Sequence, residues 1–338
     1  MLLRNTLVPL AIIALFVPTL VGAIQTTFDE YEIDSSDDDR ARYYFLAGAD
    51  RSSLNYSPHC DCFVLTTSGD EGIAVPIGNI SEWFSETSNK FFDMEEVGKS
   101  TRNFGSASQI EFYEDGRNGM YISKNNDRVF SFTISSKGDM NKHNQEGDCS
   151  NSHVTKFCGV SSISLSGMDN FSLLDMQGGL EIYLNNTFSH SYQNITSHTF
   201  FRNEFVITQM GKLGLVNLQD GLIKFVNTSE TCHKAHAHNV RVIVECSSGL
   251  YSLNTSTEVL DYLFLPPGDI TEIDFNSQSG KIAFIVQNEP ETLYLYDIDA
   301  NVGASKQFEN NQGFIDVEFS QDGTFLMVLG MYDSHVLK

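Results

Sequence analysis

Basic residues are scarce in this 338-residue chain: Lys and Arg total 21 against 44 Asp and Glu, for a formal net charge of −23. Such a surface repels the phosphate backbone and anionic lipid, which excludes nucleic-acid binding and electrostatic membrane docking as leading functions. Tryptophan occurs once, as Trp83. After residue 23 no stretch approaches the ~20 apolar residues that a membrane helix needs, so no direct membrane insertion is expected of the chain after cleavage at that point. Helical periodicity is nearly absent. A G-x-S-x-G elbow, a P-loop, a dinucleotide fingerprint and a C-x-x-C pair are also missing. With them go the sequence signals of the common hydrolase, nucleotide-binding and zinc-finger classes.

What is present points first to a compartment. Met1–Ala23 has the order of a secretory signal peptide: Arg4, an apolar core from Leu7 to Leu20, then the small residues Val21-Gly22-Ala23. The six cysteines are an even set, suited to disulfides in an oxidising lumen. Proximity favours Cys149 with Cys158 and Cys232 with Cys246. Cys60 and Cys62 then remain, one residue apart, where a direct bond is unusual; pairing of one or both with the Cys149/Cys158 couple is the alternative. Sequons at Asn55, Asn79, Asn170, Asn185, Asn194, Asn227 and Asn254 fit the same compartment, and any that carries a glycan must lie on the surface. The expectation is a secreted or luminal glycoprotein.

The rest of the chain alternates short β-rich runs with Gly, Asn, Asp and Ser turns. A unit recurs near its end. Ile273-Asp274-Phe275 matches Val317-Glu318-Phe319, and Ile282–Val286 matches Phe325–Leu329, a period of about 43 residues. Far upstream Ile110–Gly116 matches Val317–Gly323 without a gap, and the same register sets Val129 on Val336. Leu293-Tyr294-Leu295-Tyr296-Asp297 resembles the third strand of WD40-type repeats, with Tyr296 in the place of the Trp. Phe319-Ser320-Gln321-Asp322-Gly323 resembles the hairpin turn of WD40 and YVTN repeats. The resemblance implies an all-β fold: a single β-propeller of seven four-stranded blades, with six the competing count. It carries no binding residues across, since WD40 contacts differ from partner to partner.

On this reading residues 1–23 are the signal peptide, 24–41 hold a closing strand and an acidic linker, and 42–338 form the propeller. The seventh repeat has three strands before Lys338, so Thr27–Ile33 is expected to complete it and remove two open sheet edges. Truncation of a larger protein is the rival explanation. The first blade is read as Tyr43–Ala49, Cys62–Thr67, Gly72–Ile77 and Lys90–Glu96. The second ends in an outer strand near Val154–Phe157, the third lacks a clear fourth strand, and the fifth begins only at Val240.

Three groups of residues are candidates for chemistry. His233, His236 and His238 could hold Zn²⁺ or Cu²⁺ if extended, although an exposed histidine-rich turn beside a disulfide is the plainer reading. Glu111, Asp274 and Glu318 share one repeat position; facing the channel they would form an acidic ring, while solvent-facing alternation is the simpler arrangement. Trp83, Phe84, Phe91 and Phe92 offer an aromatic partner surface or a cover for the first blade's rim. No cofactor is required by any motif, with Ca²⁺ or Zn²⁺ the ions these groups would take. The function expected is a non-enzymatic interaction module for an extracellular or luminal protein or glycan. The alternatives are a lactonase- or esterase-like propeller with a channel metal, and the ectodomain of a membrane receptor.

Overall fold

A computed structural model describes residues 41–44, 51–67, 72–78, 81, 99–101, 107–123, 128–143, 159–167, 170–201, 204–238, 241–276, 278–287, 292–307, 313–330 and 333–337. Among the described residues the elements are 28 strands in seven four-stranded antiparallel sheets, a single seven-bladed propeller. Among the described residues no helix is long and apolar enough to cross a membrane.

The first blade comprises β1's successors in the chain: β2 (Arg51–Ser57), β3 (Cys62–Thr67), β4 (Gly72–Pro76) and β5 (Lys99–Thr101), where β1 is Ala41–Tyr44. The second is β6 (Ala107–Phe112), β7 (Asn118–Ser123), β8 (Arg128–Ile134) and β9 (Met140–Lys142). The third is β10 (Val160–Ser166), β11 (Asn170–Asp175), β12 (Leu180–Leu184) and β13 (Thr187–Tyr192). The fourth is β14 (Ile195–Phe201), β15 (Glu204–Gln209), β16 (Lys212–Val216) and β17 (Ile223–Phe225). The fifth is β18 (Cys232–His238), β19 (Arg241–Cys246), β20 (Gly249–Asn254) and β21 (Val259–Phe264). The sixth is β22 (Ile270–Asn276), β23 (Lys281–Val286), β24 (Thr292–Asp297) and β25 (Val302–Gln307). The seventh is β26 (Phe314–Phe319), β27 (Leu326–Gly330) and β28 (Asp333–Leu337), completed by β1.

An N-terminal strand therefore closes the ring, with Ala41 opposite Val336 and Tyr44 opposite Asp333. The strand is Ala41–Tyr44; Thr27–Ile33 lies outside the described residues. This corrects the placement of Tyr43 and Tyr44 in the first blade, whose innermost strand is Arg51–Ser57. Four further boundaries change, the first being the outer strand of the first blade, which is Lys99–Thr101 in place of Lys90–Glu96. The second blade's outer strand is Met140–Lys142, the third blade's fourth strand is Thr187–Tyr192, and the fifth blade opens on Cys232–His238. The polar string at 232–238 is thus a strand, not a turn. Its buried side is represented by small residues such as Ala235, so it lacks the bulky alternation that marks a strand in sequence. The segments 90–96 and 154–157 lie outside the described residues.

The apolar core is divided among the seams between blades. Leu54, Phe63 and Leu65 of the first blade pack with Phe325, Met327 and Val336 of the seventh. Ile243 and Leu250 of the fifth pack with Phe275, Ile282 and Phe284 of the sixth. Both faces of each sheet are covered, which is why the second strands read as continuous apolar runs such as Val242-Ile243-Val244.

The turn glycine of the repeat has two roles. At Gly116 (φ 61) and Gly323 (φ 71) the chain needs the left-handed region. Each glycine also lies against the preceding blade: a Cβ on Gly116 would sit 2.5 Å from Pro58 Cγ and Cδ, and one on Gly323 would sit 3.0 Å from Asn276 Oδ1.

Candidate functional site: the axial polar rings

The innermost strand of every blade has a register shift near its start. The shifts fall at Arg51/Ser53, Ala107/Gln109, Val160/Ser162, Ile195/Ser197, Cys232/Lys234, Ile270/Glu272 and Phe314/Asp316. Such a bulge re-aims the residues that follow it, and here it does so seven times in one place. The next residues alternate in one register around the ring. Ser53, Gln109, Ser162, Ser197, Lys234, Glu272 and Asp316 form one polar ring. Two residues on, Asn55, Glu111, Ser164, Thr199, His236, Asp274 and Glu318 form a second. Between them the chain turns Leu54, Ile110, Ile163, His198, Ala235, Ile273 and Val317 toward the core.

Ring side chains cap the inner edge of the following blade. That edge has no further strand to bond, so its N–H groups need other acceptors. The Ile110 N–H donates to Ser53 Oγ (2.9 Å), and the Ile163 N–H to Gln109 Oε1 (3.0 Å). The Phe200 N–H donates to Ser164 Oγ (3.1 Å), and the Ala235 N–H to Ser197 Oγ (3.1 Å). Toward the closing seam carboxylates take over. The Phe319 N–H donates to Asp274 Oδ2 (2.8 Å), the Leu54 N–H to Asp316 Oδ2 (2.9 Å) and the Tyr56 N–H to Glu318 Oε1 (3.2 Å). The fifth and sixth blades meet through charge: Lys234, His236 and Glu245 all act on Glu272.

The acids also act on one another across the axis. Burial pushes Glu111 up to about 7; the hydrogen bond from Gln109 works against this, and the charge on Asp274 adds to it. Glu111 belongs to the second blade and Asp274 to the sixth, so the interaction spans the ring. Burial and then Asp274, Asp316 and Glu111 raise Glu318 well above the carboxylate range. Burial and then Glu272 do the same to Asp316, against the Leu54 and Val317 N–H bonds. Glu245 goes the other way: burial raises it, but the hydrogen bond and charge of His236, with Lys234 and His233, hold it below its ordinary value. The channel is thus acidic along the arc of blades six, seven and two and basic at blade five.

Two of the three histidine side chains are described. His233 is the exposed residue at the bulge, and His236 Nε2 lies 2.8 Å from Glu245 Oε1; the His238 side chain is outside the described residues. Among the described residues no group of three or more His, Cys, Asp or Glu side chains is arranged to hold a metal ion. Glu111, Asp274 and Glu318 occupy one ring, and Asp274 is only 5% exposed. Trp83, Phe84, Phe91 and Phe92 lie outside the described residues, as do Asn79, Cys149 and Cys158.

Cys232 and Cys246 are register partners and are bonded. Cys60 and Cys62 bond directly within the first blade's hairpin turn, so neither pairs with the Cys149/Cys158 couple. Asn185, Asn194, Asn227 and Asn254 are exposed and Asn170 is half-buried. Asn55 is placed differently. Its Nδ2 donates to Ile110 O (3.0 Å) on the inner wall, so a glycan there would break that bond and fill the channel.

Sequence reasoning missed His198, which occupies a core position filled by Leu54, Ile110, Ile163 and Val317 in other blades. Its Nδ1 is 2.8 Å from Ser172 Oγ, and burial lowers it to about 4, with the Ser162 backbone acting in the opposite direction. Alignment of His198 on Ile110 in the repeat register is the signal that finds it.

No family model matches the chain, and no curated protein matches it. Solved structures do. A chain of a structure titled "Crystal Structure of Mitotic Checkpoint Complex" superposes with a TM-score of 0.60 at 9% identity, covering 85% of this chain and 86% of that one. At that identity the likeness is one of fold, and the fold is a WD40-like seven-bladed propeller.

Proposed function

We propose that the chain is a secreted or luminal glycoprotein whose propeller is a non-enzymatic interaction module, and that it docks a protein partner on one face of blades three to five. The observation that carries this reading is the exposure of Met176 (66%), Met210 (78%) and Leu265 (62%). Met176 and Met210 sit at the tips of the turns joining second to third strands, and Leu265 begins the connection from the fifth blade to the sixth. Antiparallel blades put those turns and the inter-blade connections at the same end. Backbone bonds from Ile195 N to Gly178 O and from Cys232 N to Gly211 O tie the two kinds of segment together.

Large apolar side chains on three consecutive blades favour a protein partner, and methionine adapts to irregular apolar surfaces. The inner strands serve the architecture, since Asp274, Asp316 and Glu318 are engaged as edge caps. The apolar run at 7–20, the two bonded cysteine pairs and the exposed sequons support the compartment. The exposed sequons Asn194 and Asn227 are on the same face and would frame the patch with glycans.

The test uses the full chain expressed in secreting cells. Its intact mass before and after glycosidase reports the sequons, and crosslinking followed by capture reports the partner. A partner recovered by the wild type and lost by Met176→Asp/Met210→Asp/Leu265→Asp supports the reading. Equal recovery by the variant refutes the face, and retention of an unglycosylated chain inside the cell refutes the compartment.

A further inference from the structure

The opposite end of the ring holds a small cavity between the first and second blades. Two hairpin turns meet there, residues 57–62 of the first blade and 112–118 of the second. Ser57 Oγ donates to Gly116 O (2.6 Å), and Gly116 lies against Pro58, so His59 is fixed beside Arg117. The Ile134 N–H donates to Arg117 O (2.8 Å), which brings the turn between β8 and β9 alongside. The space is about 270 Å³ and open to solvent on one side, and its lining includes His59, Arg117, Thr133, Ser135, Ser136 and Asn141.

Two basic side chains, His59 and Arg117, line this pocket. Three of the four acids of these turns accept hydrogen bonds within them, and Glu114 is exposed. Asp61 accepts from Tyr56 Oη, and Asp115 accepts from the N–H groups of Arg117 and Asn118 and from Asn118 Nδ2. Asp139 accepts from Ser135 Oγ (3.2 Å). Among the described residues no carboxylate pairs with the Arg117 guanidinium or the His59 ring. Residues that carry a forked cation, an imidazole, hydroxyls and an amide (Arg117, His59, Thr133, Ser136 and Asn141) therefore line one cavity.

We infer that this cavity binds the sulfate ester of a sugar. The guanidinium fork takes two oxygens of a tetrahedral oxyanion, and Thr133, Ser136 and Asn141 bond the sugar hydroxyls. A sulfate monoester carries one negative charge where a phosphate monoester carries nearly two, so it meets less repulsion from an acidic molecule. The volume suits a monosaccharide unit. The site is at the other end of the ring from the Met176 and Met210 turns, so its success or failure is independent of the protein-docking reading.

Calorimetric titration of the full chain at low salt tests it, with a sulfated monosaccharide, its unsulfated parent, and inorganic sulfate and phosphate as probes. The expected result is saturable binding of the sulfated sugar, no binding of the parent, and at least a tenfold loss in Arg117→Gln. The exposed Lys137 does not line the cavity, so Lys137→Gln should bind as the wild type does. Arg117 holds its turn through backbone atoms, and an unchanged unfolding temperature confirms the fold of the variant. Absence of binding, equal affinity in Arg117→Gln, an equal loss in Lys137→Gln, or preference for phosphate over the sulfated sugar each overturns the proposal.

Discussion

Two arcs of the ring perform one structural task with different chemistry. From the third blade to the fifth, serine hydroxyls cap the next inner edge: Ser164 accepts from the Phe200 N–H and Ser197 from the Ala235 N–H. From the sixth blade through the closing seam, Asp274, Asp316 and Glu318 do so. A hydroxyl cap holds its bond at every physiological pH. A carboxylate cap is the stronger acceptor, but at Asp316 and Glu318 burial and neighbouring acids push a proton onto it, so the closing seam responds to pH and the hydroxyl arc does not. Propeller closure thus depends on groups that titrate.

The largest contrast is expected at the closing seam. Asp316 accepts from the Leu54 N–H with one oxygen and the Val317 N–H with the other. Asp316→Ala leaves both without that acceptor, at roughly 1–3 kcal/mol per buried group. Urea unfolding at pH 5, where little charge repulsion is relieved, should show a loss of about 3 kcal/mol. A change below the scatter of the measurement would mean that the closing seam does not depend on this cap.

Glu111→Gln comes next. The folded carboxyl titrates near 7 against an ordinary 4.5, so the folded state holds the proton longer than the unfolded state does. The stability tied to this group is therefore full below pH 4.5 and is lost as pH rises toward 7. The glutamine variant should match the wild type near pH 4.5 and exceed it by on the order of 3 kcal/mol at pH 8, as one pKa unit is worth ~1.4 kcal/mol. A gain of equal size at both pH values would point to packing in place of charge. Smallest is Ser164→Ala, which orphans the Phe200 N–H. It should cost about 1 kcal/mol, with the same value at pH 5 and pH 8. A pH-dependent cost there would erase the distinction between the arcs.

Much of the frame was legible in the sequence because the repeat carries it in turns and apolar alternation. The gapless match of Ile110–Gly116 to Val317–Gly323 aligned two innermost strands and two positive-φ glycines, and Val129 and Val336 do lie in corresponding third strands. Polar segments hid their role. Cys232–His238 has small residues such as Ala235 where other blades have Leu or Ile, so its strand is visible only once its neighbours pair with it. Ala41–Tyr44 is a strand through pairing with the far end of the chain, which local pattern does not encode. The shared position of Glu111, Asp274 and Glu318 was visible, but alternation leaves two faces open. The curvature of seven blades, with a bulge at each inner strand, decides which face meets the axis. His198 escaped because one histidine among isoleucines carries no motif.

The difference in unfolding free energy between wild type and Glu318→Gln, measured from pH 5 to pH 8, tests the account most directly. Glutamine keeps an acceptor for the Tyr56 N–H and removes the charge that Asp274, Asp316 and Glu111 oppose. The account predicts a small difference at pH 5 that widens steadily in favour of the variant as pH rises. A difference that is flat across the range, or that favours the wild type at pH 8, would contradict it.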